Sequence, residues 1–335
     1  SFSPGKKKPD GSGIDPSTTR NVKWIAKLGS QTCGNVTVAG GRVFIGTNDC
    51  FVNDPRYRST RGGLLKCFDE QTGKLLWQLV VPRLEHNIPN FNFDQLDLGV
   101  CSSPTVEGDR VYLVGNRCDV LCLDVHGMAN GNDGPFKDEA QYTVGPGRTP
   151  VEPAPRDGDI LWRYDMREQL AVWPQDCSNC NILIHGGFLY VCTSNGVDRS
   201  HDVVPSPLAP SLIVLDKHTG WRVAQDEERI GTRLFHGRAS RQAATVPNAT
   251  TAVGQSISET SCTVRLSVCH TDMPRGQSKP NRLRTCELTI STAAPAVNPT
   301  ITLCGTRSTA RPRPASPTAS CQRPTMNVIV ITSCT

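Results

Sequence analysis

The chain has 335 residues and a formal net charge of +5, which is unevenly distributed: residues 1–235 hold 25 basic and 28 acidic side chains, whereas residues 236–335 hold 11 and 3. The basic residues of the last hundred are scattered among Thr, Ser, Pro and Ala without any aromatic residue, which argues against nucleic-acid binding. No apolar run reaches the roughly 18 residues of a membrane-spanning helix, so no transmembrane segment is predicted.

The N-terminal segment, residues 1–20, is polar and rich in Pro and Gly, a composition typical of a linker. It begins with Ser rather than Met, so we expect a fragment of a longer protein whose N terminus, with any export signal, lies upstream. The 15 cysteines are odd in number and irregularly spaced, and they therefore predict no disulfide framework.

Three segments of the following 200 residues share one pattern, in which two short alternating runs flank a turn that contains glycine. Their sequences are GNVTVAGGRVFIGTN (34–48), SSPTVEGDRVYLVGN (102–116) and CNILIHGGFLYVCTSN (180–195). Glycine supplies the positive φ that a tight hairpin turn needs, so each segment is predicted to form a β-hairpin.

A second module follows each hairpin. In LLKCFDEQTGKLLWQL (64–79) and SLIVLDKHTGWRVAQ (211–225), two strands flank an Asp-x-x-Thr-Gly turn, where Asp accepts turn N–H groups and Gly takes the left-handed conformation. In the middle copy a long loop separates DVLCLDVHG (119–127) from GDILWRYDM (158–166). The repeated residues are Asp69, Thr72, Gly73, Trp77, Asp124, Trp162, Asp216, Thr219 and Gly220. The earlier segment NVKWIAKL (21–28) is predicted to be the closing strand of a preceding unit.

Two hairpins per unit give four antiparallel strands, which is the composition of one β-propeller blade. The predicted fold is therefore all-β: an incomplete β-propeller of about three four-stranded antiparallel blades plus one closing strand, spanning residues 21–237. One blade cannot bury both of its faces, so neighbouring blades must stack. The tryptophan at the end of each outer strand is expected to pack between them.

The Asp-x-x-Thr-Gly-Lys-x-x-Trp pattern of residues 69–77 resembles the repeat of the pyrroloquinoline-quinone (PQQ)-like propellers. MANGNDGPFKDEA (128–140) and PSPLAPSLIVLDKHTG (205–220) are similar to PQQ-like repeat proteins of planctomycete type, and the resemblance covers residues 1–237. That superfamily contains quinoprotein alcohol dehydrogenases, which use PQQ and Ca²⁺, as well as non-catalytic proteins of the bacterial envelope. The resemblance therefore implies a periplasmic or cell-envelope location.

The repeat signatures end at Gly237. Residues 238–335 contain only three glycines, and Thr, Ser, Ala, Pro and Arg dominate their composition. This tail is expected to be either a disordered extension or a non-native segment translated after loss of the coding frame near Gly237. Its six cysteines are unusual for a disordered tail and favour the second interpretation.

Two loops concentrate candidate binding residues. Asn130, Asn132 and Asp133 make one of them rich in oxygen ligands, which suits a hard cation such as Ca²⁺, although Pro135 stands where an EF-hand requires glycine. The other loop brings together Asn195, Asp198 and His201 as candidates for ligand binding. For both loops the simpler interpretation is a set of exposed turn residues.

Cys177 and Cys180 have the spacing of zinc ligands or of a redox pair. No second Cys or His pair lies at a suitable distance in the sequence, and no helix start is evident that would lower a thiol pKa. We therefore expect these cysteines to be structural.

The favoured function is a non-catalytic binding or assembly scaffold, whose loops 82–100, 127–158 and 195–211 contact a protein partner or a small ligand at one mouth of the propeller. The alternative implied by the resemblance is a PQQ- and Ca²⁺-dependent alcohol dehydrogenase. Against it, the sequence lacks the adjacent Cys-Cys pair of the best-known dehydrogenases, and no residue set matches their calcium ligands. A third class, a hydrolase or lyase, would place Asp198 and His201 at the mouth.

Overall fold

The computed structural model describes residues 3–10, 13–85, 96–174, 177–200 and 202–233, and the backbone of three further strands at 262–268, 284–290 and 328–331. His201 and most of residues 238–335 lie outside the described residues. The predictions made on His201 and on the nature of the tail therefore stay predictions.

Three antiparallel sheets follow one another along the chain, each with its strands in sequential spatial order. Blade 1 consists of β2 (Thr37–Ala39), β3 (Arg42–Asn48), β4 (Gly63–Asp69) and β5 (Leu75–Val81). Blade 2 consists of β6 (Thr105–Glu107), β7 (Arg110–Val114), β8 (Asp119–Asp124) and β9 (Ile160–Asp165). Blade 3 consists of β10 (Leu183–His185), β11 (Phe188–Cys192), β12 (Leu212–Asp216) and β13 (Arg222–Gln225). The all-β blade architecture predicted from the repeat is confirmed.

The remaining elements are short or peripheral. Strand β1 (Trp24–Lys27) pairs with β16 (Val328–Ile331), while β14 (Cys262–Val268) and β15 (Arg284–Ile290) continue the sheet of blade 3. The helices are α1 (Glu139–Tyr142), α2 (Met166–Leu170) and α3 (Ile230–Arg233), with single 3₁₀ turns at Pro16–Thr18 and Gly127–Asn130. No helix among the described residues combines the length and apolarity needed to cross a bilayer.

The three blades are built in the same register. A row of facing residues crosses each of them: Phe44, Cys67 and Trp77 in blade 1, Tyr112, Cys122 and Trp162 in blade 2, and Tyr190, Val214 and Ala224 in blade 3. Each blade also has a register shift directly after the central residue of this row. The sequence repeat is thus a repeat of sheet geometry, including its irregularity.

Each outer-strand tryptophan contacts the blade that follows it, as predicted. The indole of Trp77 donates to the carbonyl of Val125 at 3.0 Å, and that of Trp162 donates to the carbonyl of Lys217 at 3.3 Å. Trp24 makes the same contact with Glu70 at 2.8 Å, which fits its predicted role as the tryptophan of a closing strand. The acceptor is always the residue directly after the repeat aspartate.

Apolar packing between the blades accompanies these hydrogen bonds. Trp77 and Leu79 of blade 1 are buried with Leu113 and Leu121 of blade 2 in one cluster. A second cluster joins blade 2 to blade 3. Burying such side chains contributes about 1.5–3 kcal/mol each, so the interfaces between blades hold most of the core.

The loop at 127–158 departs from its predicted position. It was expected at the mouth of the propeller together with loops 82–100 and 195–211, but it runs along the outer edge of blade 1. Gln78 of β5 forms a parallel bridge with Asp157, donating from its N–H to Arg156 and accepting from Gly158. The loop therefore covers a strand edge that would otherwise present unpaired backbone groups, and we call residues 127–158 the edge insertion.

Candidate functional site

A group of three carboxylates lies where the edge insertion begins and ends. Asp124 is the last residue of β8, Asp133 follows the 3₁₀ turn of the insertion, and Asp159 directly precedes β9. One carboxylate oxygen from each lies within 4.8 Å of the other two. Because β8 and β9 are paired neighbours, the sheet itself brings the two ends of the insertion together, and we call these residues the acidic triad.

Most of the triad is removed from solvent. Asp159 is fully buried and Asp124 is 8% exposed, whereas Asp133 is exposed. Burial raises the pKa of Asp159 to about 6, the N–H of Asp133 partly opposes this, and the charges of Glu139, Asp124 and Asp133 raise it further. The site therefore concentrates negative charge in a poorly solvated place.

The hydrogen bonds of the triad leave a buried carboxylate oxygen without a donor in the described part of the chain. Asp159 Oδ2 accepts from the N–H of Asp133 at 2.9 Å, while Oδ1 of Asp159 is buried without a hydrogen-bond partner among the described residues. Asp124 Oδ1 accepts from the N–H of His126 at 2.6 Å. The amide of Asn130 lies between Asp124 Oδ2 at 3.5 Å and Asp133 Oδ2 at 3.1 Å.

Of the three residues predicted as metal ligands, the structure places two at the acidic triad and one elsewhere. Asp133 belongs to the triad and Asn130 contacts it, but Asn132 points its amide to buried Glu139 and its carbonyl oxygen to Lys137. Sequence reasoning did not select Asp124 or Asp159 as ligands, because it treated Asp124 as a repeat residue and gave Asp159 no role. The available signal was an acidic residue at each junction between the insertion and the sheet.

The second candidate loop lies between β11 and β12, and its described residues, 193–200 and 202–211, are held together by residues predicted to bind a ligand. Buried Asn195 donates its amide to the carbonyls of Ser206 at 2.8 Å and Ala209 at 2.7 Å. Asp198 accepts from Ser200 Oγ and from the N–H of Val203, and these hydrogen bonds lower its pKa. Ligand binding by Asn195, Asp198 and the undescribed His201 stays a prediction.

This ordered loop displays two apolar side chains to solvent. Val203 is 55% exposed and Leu208 is 72% exposed. The loop is also tied to the chain before blade 3, since Ser206 Oγ donates to the carbonyl of Ala171 at 2.6 Å. Val203 and Leu208 therefore lie on a loop that is held in place by hydrogen bonds, and we call them the apolar loop pair.

The cysteines form two contact groups. Cys101 donates its S–H to the carbonyl of Gly99 at 3.5 Å, and the interaction of its thiol with exposed Cys33 lowers the pKa of Cys33 to about 7, while Cys177 interacts with Cys101 as well. Cys180 contacts Cys192 instead, whose N–H donates to the Cys180 sulfur at 3.2 Å. The structure thus gives Cys177 and Cys180 different partners, despite their redox-like spacing.

The profile of the PQQ_2 family, described as outer membrane protein assembly factor BamB, matches residues 12–278. This match includes all three blades and extends beyond Gly237, where the repeat signatures end. No curated protein matches the chain.

Solved structures similar to the chain include two dehydrogenases and a BamB. Quinohemoprotein alcohol dehydrogenase from Comamonas testosteroni has a TM-score of 0.32 and 9% identity over 61% of this chain and 22% of its own. A europium-containing methanol dehydrogenase has a TM-score of 0.32 and 10% identity over 61% of this chain and 26% of its own. BamB from Moraxella catarrhalis has a TM-score of 0.22 and 12% identity over 58% of this chain and 61% of its own. The chain thus spans about a quarter of the two dehydrogenases that it matches.

Proposed function

This chain belongs to the PQQ_2 family, whose description is outer membrane protein assembly factor BamB, and we propose that it acts as a non-catalytic binding or assembly scaffold of the bacterial cell envelope. The observation that carries the proposal is the apolar loop pair, Val203 and Leu208, which the described part of the loop between β11 and β12 exposes to solvent. The partner in this proposal is a protein of the envelope with an apolar surface of its own.

The hydrogen bonds that fix this loop favour the binding of a protein partner. Hydrogen bonds from the Asn195 amide and to the Asp198 carboxylate fix the loop backbone. A partner that covers Val203 and Leu208 would therefore cause little further loss of conformational entropy. Each side chain offers apolar area whose removal from water is favourable by about 25 cal/mol per Å². A rigid loop with exposed apolar tips is therefore better suited to contacting a protein than to performing chemistry on a small molecule.

On two of the inner strands, the hydroxyl side chains are already engaged with the neighbouring blade. Thr37 of β2 donates its hydroxyl to the carbonyl of Pro104 at 2.6 Å, and Thr105 of β6 donates to the carbonyl of Ile182 at 2.8 Å. These hydroxyls thus join neighbouring blades. The adjacent cysteine pair of the best-known quinoprotein dehydrogenases is also missing from the sequence, so we derive no step through PQQ.

Site-specific photo-crosslinking tests the scaffold. A photoreactive residue at Val203 is expected to capture a discrete envelope protein in cells, and Leu208→Asp is expected to abolish that capture. Trp221→Asp is the matched control, because Trp221 is 62% exposed but lies in the turn at the opposite end of strand β12. Capture that is unchanged in Leu208→Asp would contradict the proposed surface.

A second experiment separates the scaffold from the enzyme. The purified protein is incubated with PQQ and Ca²⁺, and alcohol-dependent dye reduction is measured. The scaffold predicts neither a bound-quinone absorbance nor turnover. Turnover that depends on both additions would overturn the proposal in favour of a quinoprotein dehydrogenase.

A further inference from the structure

We propose that the acidic triad, Asp124, Asp133 and Asp159, is a calcium site that fastens the edge insertion to blade 2. The three carboxylates come from the end of β8, the insertion and the start of β9, and an oxygen from each lies within 4.8 Å of the others. The site is separate from the apolar loop pair, and it does not depend on the scaffold function.

The turn after Asp124 departs from the repeat. In blade 1, Asp69 Oδ1 accepts from the N–H and the hydroxyl of Thr72 at 2.8 and 2.7 Å. In blade 3, Asp216 accepts from Thr219 in the same way, at 2.8 and 2.9 Å. Blade 2 has no threonine at this position, and the insertion brings two more carboxylates to Asp124 instead. Asp124 still accepts from the N–H of His126, but neighbouring carboxylates take the place of the threonine contacts of the other two turns.

The triad also contains a buried oxygen without a hydrogen-bond donor among the described residues. Asp159 is fully buried, its carboxylate belongs to the triad, and its Oδ1 has no hydrogen-bond donor among the described residues. An unpaired buried carboxylate oxygen costs several kcal/mol unless a donor or a cation reaches it. A cation among the three carboxylates would satisfy that oxygen.

No described basic side chain supplies this counter-charge. None of the ion pairs among the described residues involves Asp124, Asp133 or Asp159. The ammonium of Lys137 is close to the insertion, but it donates to Asn132 and to the backbone carbonyl of Asp133. The negative charge of the triad is therefore open to an ion.

The donor set indicates the type of ion. All three ligands are carboxylates, and the amide of Asn130, turned by 180°, would present a fourth oxygen between Asp124 and Asp133. Hard oxygen ligands suit Ca²⁺ or Mg²⁺ rather than Zn²⁺. Calcium tolerates irregular geometry and is the better match to ligands from two strand ends and a loop, whereas Mg²⁺ demands near-ideal octahedral geometry.

Calcium would join parts of the chain that the insertion must hold in place. Asp133 is next to Gly134, where an added Cβ would lie 2.7 Å from the backbone of Leu161 in β9, so the loop already approaches blade 2 closely. Further along, the insertion bridges to Gln78 of blade 1. An ion at the triad would therefore fix the base of a segment that connects two blades.

Isothermal titration calorimetry with CaCl2 on the full chain, after removal of divalent ions by chelation, tests the site. We expect one Ca²⁺ per chain, a calcium-dependent rise in Tm, and much weaker binding of Mg²⁺. Asp133→Asn is expected to weaken calcium binding about tenfold or more. Because Asp133 is exposed, this variant is expected to fold, and Asp138→Asn, an exposed aspartate of the same loop outside the triad, is the matched control.

Asp159→Asn provides a second test, in which the Tm without calcium is expected to rise. In chelator its Tm should lie above that of the wild type, because a crowded buried charge has been removed, while its Tm should no longer respond to calcium. The proposal is overturned if the wild type shows neither binding heat nor a shift in Tm with calcium. It is equally overturned if Asp133→Asn and Asp138→Asn bind calcium as the wild type does.

Discussion

The indole N–H of Trp162 donates to the backbone carbonyl of Lys217, which lies directly after Asp216 in the next blade. The N–H of Lys217 donates in turn to the carbonyl of Gly187, in the hairpin turn of its own blade, at 2.9 Å. One residue, Lys217, thus connects a turn of blade 3 to the outer strand of blade 2 through its N–H and its carbonyl. The preceding interface repeats the arrangement, since Val125 accepts from Trp77 and donates to Asp109.

This contact predicts the effect of removing the indole donor. Trp162→Phe keeps an aromatic ring next to Tyr112 but loses the hydrogen bond to Lys217, and it should lower the free energy of unfolding by about 1–2 kcal/mol. Trp221 is an exposed tryptophan in the turn that contains Lys217, and Trp221→Phe should change the free energy of unfolding by less than about 0.5 kcal/mol. Urea unfolding measures both, and equal effects would show that the indole contact adds no stability.

The ring of Trp162 packs against the backbone of Gly220. This glycine has φ +74°, and a Cβ there would lie 2.5 Å from Trp162 Cε3. Gly186 is a matched control, because it has φ +58° but open space around it. Gly186→Ala should cost about 1 kcal/mol from backbone strain alone, and Gly220→Ala should cost about 1–3 kcal/mol more from the steric clash. Similar losses in urea unfolding would show that the ring simply moves aside.

The blades were predictable because their signals are local. Each hairpin turn and each Asp-x-x-Thr-Gly turn is specified by residues a few positions apart, and the threefold repeat made the alternation easy to see. The packing of Trp77 and Trp162 between blades followed from the need to bury sheet faces. Blade 3 is an exception, since Ala224 occupies the position of the outer-strand tryptophan.

The acidic triad was only partly predictable because it depends on long-range pairing. Asp124 and Asp159 are brought together only when β8 pairs with β9 across the insertion, and local composition pointed to Asn130, Asn132 and Asp133 instead. The path of the insertion along blade 1 was unpredictable for the same reason. Its bridge to Gln78 depends on the free edge of β5, which has no sequence signature.

Lys66 predicts a stability that depends on pH. Its side chain is fully buried, and its ammonium donates to the carbonyl of Phe51 at 3.0 Å and to Asn53 Oδ1 at 2.6 Å. Burial, with a smaller effect of Lys27, lowers its pKa to about 8 from an ordinary value of 10.5. The unfolded chain thus holds this proton up to a higher pH than the folded protein.

The sign follows from proton linkage. Below pH 8 Lys66 is charged in both states and its burial is unfavourable, and between pH 8 and 10.5 the folded state alone loses the proton, so this residue contributes increasing stability as pH rises. The increase over that window should be roughly 3 kcal/mol. Lys66→Met should remove this rise and Lys74→Met, at an exposed lysine, should retain it in urea unfolding at several pH values. A rise that persists in Lys66→Met would assign it to other groups.

Cys33 is predicted to be a reactive thiol near neutral pH. The neighbouring Cys101 thiol lowers its pKa to about 7, and its side chain is exposed. Since the thiolate is the nucleophile, the rate of its alkylation by iodoacetamide should rise with pH around a midpoint near 7. Cys101→Ala removes this neighbouring thiol and should move the midpoint up toward the ordinary cysteine value of 9.0. Peptide mass spectrometry assigns the alkylated residue, and a midpoint that Cys101→Ala leaves in place would mean that another group holds the thiolate.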